Sequence, residues 1–132
     1  MIKKILIVDD SPVARKMLKK CILDQDQYEI VEAIDGQEGV DKFKEFSPDI
    51  VFLDLTMPVL DGYDALKQIK ILDKDAIVII LTADIQPKSI STVMEYGAYT
   101  VIKKPAKVQS IKDIIQKADN KLKGIARATD EY

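Results

Sequence analysis

Five short apolar runs, nearly continuous and rich in β-branched residues, are the strongest constraint on what this chain can fold into: Lys4–Val8, Glu29–Ala33, Ile50–Leu53, Ala76–Leu81 and Tyr99–Ile102. A strand with one wet face alternates apolar and polar residues, whereas a strand covered on both faces reads as an unbroken apolar run. Each run is followed by a segment of helical period. Pro12–Leu23 sets Ala14, Met17, Leu18 and Cys21 on one face, and Gly36–Phe46 does so with Val40 and Phe43. Tyr63–Leu72 offers Leu66 and Ile69, Pro87–Tyr96 offers Ile90, Val93 and Met94, and Val108 onward offers Ile111, Ile115, Ala118 and Leu122. Ser11-Pro12 is a helix start, with a capping hydroxyl and a proline at the first helical position, and Gly97 suits a helix end. Strand and helix alternating five times predict one α/β domain, a doubly wound parallel five-stranded sheet with helices on both faces. Its 132 residues suffice for a core without disulfide or metal.

Composition narrows the chemistry. The chain has no histidine and no tryptophan, and a single cysteine, Cys21, which falls on an apolar helix face and reads as core. Imidazole bases, phosphohistidine and Cys-rich zinc sites are thereby excluded within the chain. What remains is carboxylate, lysine and hydroxyl chemistry, or a hard cation. A formal net charge of −2 argues against a dedicated nucleic-acid binder. Residues 101–132 nevertheless hold eight basic and four acidic residues, a basic surface on the last helix that is either solvated or a docking face for an acidic partner. The longest strongly apolar run, Ala76–Leu81, is far short of the roughly 20 residues a membrane span needs, and the apolar start is too short for a signal peptide, so a cytoplasmic protein is expected.

In open parallel sheets the ligand sits beyond the carboxyl ends of the strands. The residues there are Asp9 and Asp10, Ile34 and Asp35, Asp54, Thr82 and Lys104. Three neighbouring carboxylates, Asp9, Asp10 and Asp54, repel one another and call for a cation. Mg²⁺ suits them: it takes oxygen ligands, keeps several waters, and is held by one or two carboxylates together with a phosphate. Singly, each acid could merely cap a helix or open a turn. Together with Thr82 and Lys104 they make a site.

Asp9-Asp10, Asp54, Met57-Pro58-Val59-Leu60-Asp61-Gly62, Thr82-Ala83 and Lys104-Pro105 resemble, in order and over about residues 3–122, the receiver domain of two-component response regulators. The resemblance implies a flavodoxin-like, CheY-like sheet of strand order 2-1-3-4-5. It implies that Asp54 is the phosphoacceptor, taking a phosphoryl group from a partner's phosphohistidine, and that Mg²⁺ is bound by Asp10, Asp54 and the backbone carbonyl of Thr56, with Asp9 acting mainly through metal-bound water. Thr82 would donate its hydroxyl to the phosphoryl group, and Lys104 would pair with Asp54 before reaction and with a phosphoryl oxygen after it. Lys103 is adjacent, but successive strand side chains point to opposite faces, and the family's lysine-before-proline selects Lys104. A cis Lys104–Pro105 bond is implied as well. Thr56 and Asp84 match positions that flank the attacking water when the phosphoryl group is lost.

Two departures from the family pattern concern the switch. The usual inward-turning aromatic on the last strand is Val101 here, and the residue after Pro105, often phenylalanine, is Ala106. Tyr99, two residues before Val101 and on the same strand face by simple alternation, is either a plain core or surface tyrosine or a partial substitute. The switch is expected to be carried by Thr82 and residues 83–96.

The domain is expected over 1–123, with 124–132 a disordered C-terminal tail and no attached effector. Val108, Ile111, Ile115, Ala118, Leu122 and Ile125 form a heptad-like stripe that is either core-facing or extends the last helix into a contact. The expected partners are a sensor histidine kinase or histidine phosphotransfer protein, and a downstream protein bound through residues 83–123, in chemotaxis or a related pathway, with no nucleic acid or membrane. A monomer is expected, or a dimer linked to phosphorylation. The rival is an aspartate-nucleophile phosphohydrolase of the haloacid dehalogenase type, which needs a second acid two residues after the nucleophile, where this chain has Thr56. A flavin binder of the same sheet type would want a Ser/Thr/Gly-rich phosphate loop in place of Asp9-Asp10.

Overall fold

The strands are β1 Lys4–Val8, β2 Glu29–Ala33, β3 Ile50–Leu53, β4 Val78–Thr82 and β5 Thr100–Lys103, and the helices α1 Pro12–Cys21, α2 Gly36–Phe46, α3 Gly62–Leu72, α4 Pro87–Glu95 and α5 Val108–Glu131. This computed structural model describes residues 1–131 except Pro58, and for residues 125–131 the backbone alone. The expected tail boundary at 123 falls inside α5, whose helical backbone continues through Glu131 where a disordered tail was expected. The Ile125 side chain and Tyr132 lie outside the described residues.

The five strands are parallel in the order β2-β1-β3-β4-β5, as expected. Pleating sorts alternate residues into two cores. Ile5, Ile7, Ile50, Phe52 and Ile79 meet Leu18 and Cys21 of α1 and Ile111 and Ile115 of α5. Leu6, Val8, Val51, Leu53 and Ile80 meet Val40 and Phe43 of α2, Leu66 and Ile69 of α3, and Val93 of α4. Both faces of the three central strands, β1, β3 and β4, are therefore dry, which is why their runs are continuously apolar, whereas the edge strands β2 and β5 are only partly covered. Met17, Met94 and Val108, assigned to inward stripes by spacing, are exposed, and Ile114, which spacing omitted, is buried.

Local chemistry sets the element ends. Ser11 Oγ accepts from Ala14 N–H at 3.1 Å, Asp35 from Glu38 N–H at 2.8 Å and Asp61 from Asp64 N–H at 2.9 Å, each satisfying an amide that the first turn leaves free. β4 begins at Val78 instead of Ala76 because the Ala76 N–H is used in a turn, donating to the Asp73 carbonyl at 3.1 Å. Ala76 is thus a turn residue that happens to be apolar.

Tyr99 corrects an expectation. It precedes β5 and packs with the α1/α5 core, with Lys121 Nζ 4.9 Å from its ring centroid, whereas Val101 packs on the α2–α4 side. Alternation holds only within the extended strand, so counting back two residues across its first position gives the wrong face.

Candidate functional site

Three backbone hydrogen bonds carry the parallel ladder one residue past the strands. Asp9 N–H donates to Ala33 O at 3.1 Å, Asp54 N–H to Val8 O at 3.0 Å and Lys104 N–H to Thr82 O at 2.8 Å. Asp9, Asp54 and Lys104 are thus held by the sheet and not by free loops, and Asp10 follows Asp9 directly. Carboxylate oxygens of Asp9, Asp10 and Asp54 lie within 4.8 Å of one another. Asp9 and Asp54 are buried and Asp10 is exposed, so the cluster has two oxygens anchored in the protein and one side open to solvent.

Lys104 reaches this cluster from β5. Its Nζ lies 2.8 Å from Asp9 Oδ2 and 3.4 Å from Asp54 Oδ1. The nearer partner is Asp9, whereas the sequence suggested Asp54. Lys103 is exposed, and the Lys104–Pro105 peptide is cis. Asp54 Oδ1 also accepts from Leu55 N–H at 2.9 Å, and Asp9 Oδ1 from Ser11 N–H at 2.9 Å. One ammonium faces three carboxylates, an excess of negative charge that a divalent cation would neutralise. All the side-chain donors are hard oxygens and one side is open to water, which fits Mg²⁺ and does not fit a soft metal.

Burial, and then the charge of Asp9, push the Asp54 carboxyl above the usual range, with Lys104 and the Leu55 amide opposing. Burial works against the Lys104 charge, but its hydrogen bond to Asp9 and the charges of Asp54 and Asp9 outweigh it, and its pKa is raised. The carboxylates thus keep the lysine charged.

Thr82 ends β4 and is buried. Its Oγ1 accepts from Asp84 N–H at 3.1 Å, and the Asp84 carboxylate accepts from Gln86 N–H at 3.1 Å and from Ser89 Oγ at 2.8 Å, a chain that runs from the strand end into the first turn of α4. Thr56 is exposed, two residues beyond Asp54. Asp9, Asp10, Asp54 and Lys104 therefore meet, while Thr82 ends the strand paired with β5 and Thr56 follows Asp54 by two residues. Sequence reasoning passed over Arg15. Its side chain reaches back from α1 to donate to the Asp9 carbonyl at 2.7 Å.

The loop between Asp54 and α3 is packed against the strand end by a close backbone approach. A Cβ on Gly62 would lie 2.1 Å from Asp54 O and 2.5 Å from Leu55 Cα. Gly62 N–H donates to Leu55 O at 2.9 Å, so the contact cannot open without losing that bond. Gly62→Ala is expected to destabilise the fold by about 3 kcal/mol, at the upper end of overpacking costs. Urea unfolding measures it, and a midpoint equal to wild type would show that the loop yields freely.

The response regulator receiver domain family matches residues 5–116. The chemotaxis protein CheY of Bacillus subtilis is 40% identical over 121 residues, covering 91% of this chain and 100% of that protein. Sporulation initiation phosphotransferase F of the same organism is 35% identical over 117 residues, covering 89% of this chain and 94% of that protein. Among solved structures, the CheX–CheY–BeF₃–Mg²⁺ complex from Borrelia burgdorferi matches with a TM-score of 0.81 and 34% identity over 87% of each chain.

Proposed function

The chain belongs to the response regulator receiver domain family and is a phosphoacceptor of two-component signalling, and from that premise we propose that Asp54 is the residue phosphorylated. The observation that carries this reading is the position of Asp54 at the end of a central strand, buried beside Asp9 and Asp10 with Lys104 3.4 Å away. Asp54 Oδ1 is engaged by Leu55 N–H and Lys104, which supports Oδ2 as the attacking oxygen. An Oδ2–P bond forms as the P–N bond of the donor's phosphohistidine breaks, and the imidazole leaves with its electron pair. The donor is a sensor histidine kinase or a histidine phosphotransfer protein.

The reaction spreads charge over the transferred oxygens, so positioning and electrostatic stabilisation do most of the work. Lys104, kept charged by its two carboxylate neighbours, serves a phosphoryl oxygen from one side. Asp10, Asp54 and the Thr56 carbonyl would hold Mg²⁺ on the other side, with Asp9 nearby; when bound, the ion supplies the second positive charge. Thr82 exchanges its bond from the Asp84 amide for one to the phosphoryl group, which disturbs the Asp84 link to α4 and shifts residues 83–96 between two populations. With Val101 on the inward face of β5 and Tyr99 on the other side of the sheet, Thr82 and α4 carry the switch without an aromatic partner.

The output is a changed affinity for a protein bound through residues 83–123, in a chemotaxis-type pathway, by a cytoplasmic domain. No described helix is long and apolar enough to cross a membrane. The haloacid dehalogenase alternative is not supported: the position that would carry its general acid is the exposed Thr56, and the family found is the receiver.

Incubation with acetyl phosphate and Mg²⁺, followed by intact mass, is expected to show one phosphoryl gain that disappears when the metal is chelated. No gain, or continuous turnover of phosphate esters, would overturn the reading.

A further inference from the structure

Asp10 is the exposed member of the acidic cluster, and among the described residues its carboxylate has no hydrogen-bond or ion-pair partner. Something else must set its direction. The peptide unit that joins Asp9 to Asp10 is planar and includes the Asp9 carbonyl, so whatever fixes that carbonyl fixes the plane from which Asp10 departs. Arg15 Nη1 donates to this carbonyl at 2.7 Å. Its Nε donates to Glu32 Oε1 at 3.0 Å, and Glu32 Oε2 takes Lys19 Nζ at 2.9 Å. The arginine is largely buried, with 13% of its side chain exposed, and spans from α1 to the edge strand β2 beside the site.

We infer that Arg15 is a positioning residue for the metal site, orienting Asp10 through the Asp9 carbonyl, with Glu32 as its anchor. The inference rests on the receiver reading above. The guanidinium suits the task because its planar fork makes two bonds in fixed directions, one to each acceptor, whereas an ammonium is a point charge on a flexible stem. Groups that orient metal ligands commonly change metal affinity 10–100-fold when removed.

The sign of the effect separates this role from simple electrostatics. Arg15 is a cation near three carboxylates, and deleting a positive charge there should tighten Mg²⁺ binding if charge alone acts. Loss of orientation should weaken it. Calorimetric titration with Mg²⁺ is expected to give Arg15→Ala a Kd about tenfold above wild type. The Mg²⁺ concentration for half-maximal phosphorylation by acetyl phosphate should rise equally, with the maximal rate retained at saturating metal. Arg15→Lys, which keeps the charge but not the fork, should remain weaker than wild type.

An Arg15→Ala Kd equal to or tighter than wild type overturns the inference, as does Arg15→Lys matching wild type or a rate loss that saturating Mg²⁺ does not restore. If Arg15→Ala does not fold, Arg15→Lys carries the test, since it keeps the charge and loses only the fork: it should weaken Mg²⁺ binding, and a Kd equal to wild type overturns the inference. A wild-type chain that takes up no Mg²⁺ would instead defeat the receiver reading, so the two failures are distinguishable.

Discussion

Asp54→Asn is expected to gain no phosphoryl group from acetyl phosphate and, at neutral pH, to melt at a higher temperature than the wild type. The first result follows from removing the nucleophilic oxygen. Asp9 and Asp10 cannot replace it: Asp9 Oδ1 and Oδ2 are committed to Ser11 N–H and Lys104, and Asp10 points from an exposed turn. The second result follows from what the site costs the fold. The folded-state pKa of Asp54 is raised, first by burial and then by Asp9. The native chain therefore binds that proton more tightly than the unfolded chain, and ionising the group at neutral pH lowers stability. Asparagine keeps the shape without the charge. Its advantage is full above the raised value and shrinks as pH falls through it towards about 4, the ordinary carboxylate range, where the wild-type group is protonated in both states. Melting curves at neutral and acid pH measure this. An Asp54→Asn chain that melts lower at neutral pH would mean that the pairing with Lys104 outweighs burial.

Lys104→Ala is expected to slow phosphorylation by acetyl phosphate at saturating Mg²⁺ about 100-fold, the usual effect of deleting one oriented donor from a transition-state charge site. The loss should lie in the maximal rate and not in Mg²⁺ affinity. The ammonium competes with a cation for Asp9 and Asp54, so removing it should leave Mg²⁺ binding unchanged or tighter. The same change leaves two buried carboxylates facing each other without their counter-charge, 2.8 and 3.4 Å from where Nζ stood. The variant should therefore be less stable than wild type at neutral pH and recover part of the difference on addition of Mg²⁺. Stopped-time phosphorylation with mass detection reads the rate, and a rate within threefold of wild type would remove Lys104 from the reacting site.

These effects act in opposite directions on one cluster, which is the physical character of the site. Removing the nucleophile relieves the fold, and removing the cation burdens it. Arg15 differs from both. It touches no reacting atom, and its effect is expected only where Asp10 must be aimed.

The fold was readable because its central strands are dry on both faces: Ile5, Phe52 and Ile79 fill one core while Leu6, Leu53 and Ile80 fill the other, so periodicity and burial say the same thing. The strand-end rule then located Asp9, Asp10, Asp54, Thr82 and Lys104 without contacts being known. Other features depend on geometry that spacing does not encode. Tyr99 lies one residue outside β5, where alternation no longer applies. Arg15 sits among lysines on the polar side of α1, and only the fold shows that its side chain folds back over the end of β1 instead of pointing to water. The strand-end position of Lys104 and its place before Pro105 put it at the site, but its closer approach to Asp9 than to Asp54 is a contact that spacing does not encode.

Asp54, and no other carboxylate, is expected to take the phosphoryl group. The most direct measurement is borohydride reduction of the acetyl phosphate-treated protein, which converts an aspartyl phosphate to homoserine, followed by peptide mass mapping. Homoserine at position 54, with aspartate intact at positions 9 and 10, is the result predicted here. Homoserine at position 9 or 10, or none in protein that has gained a phosphoryl group, would contradict it.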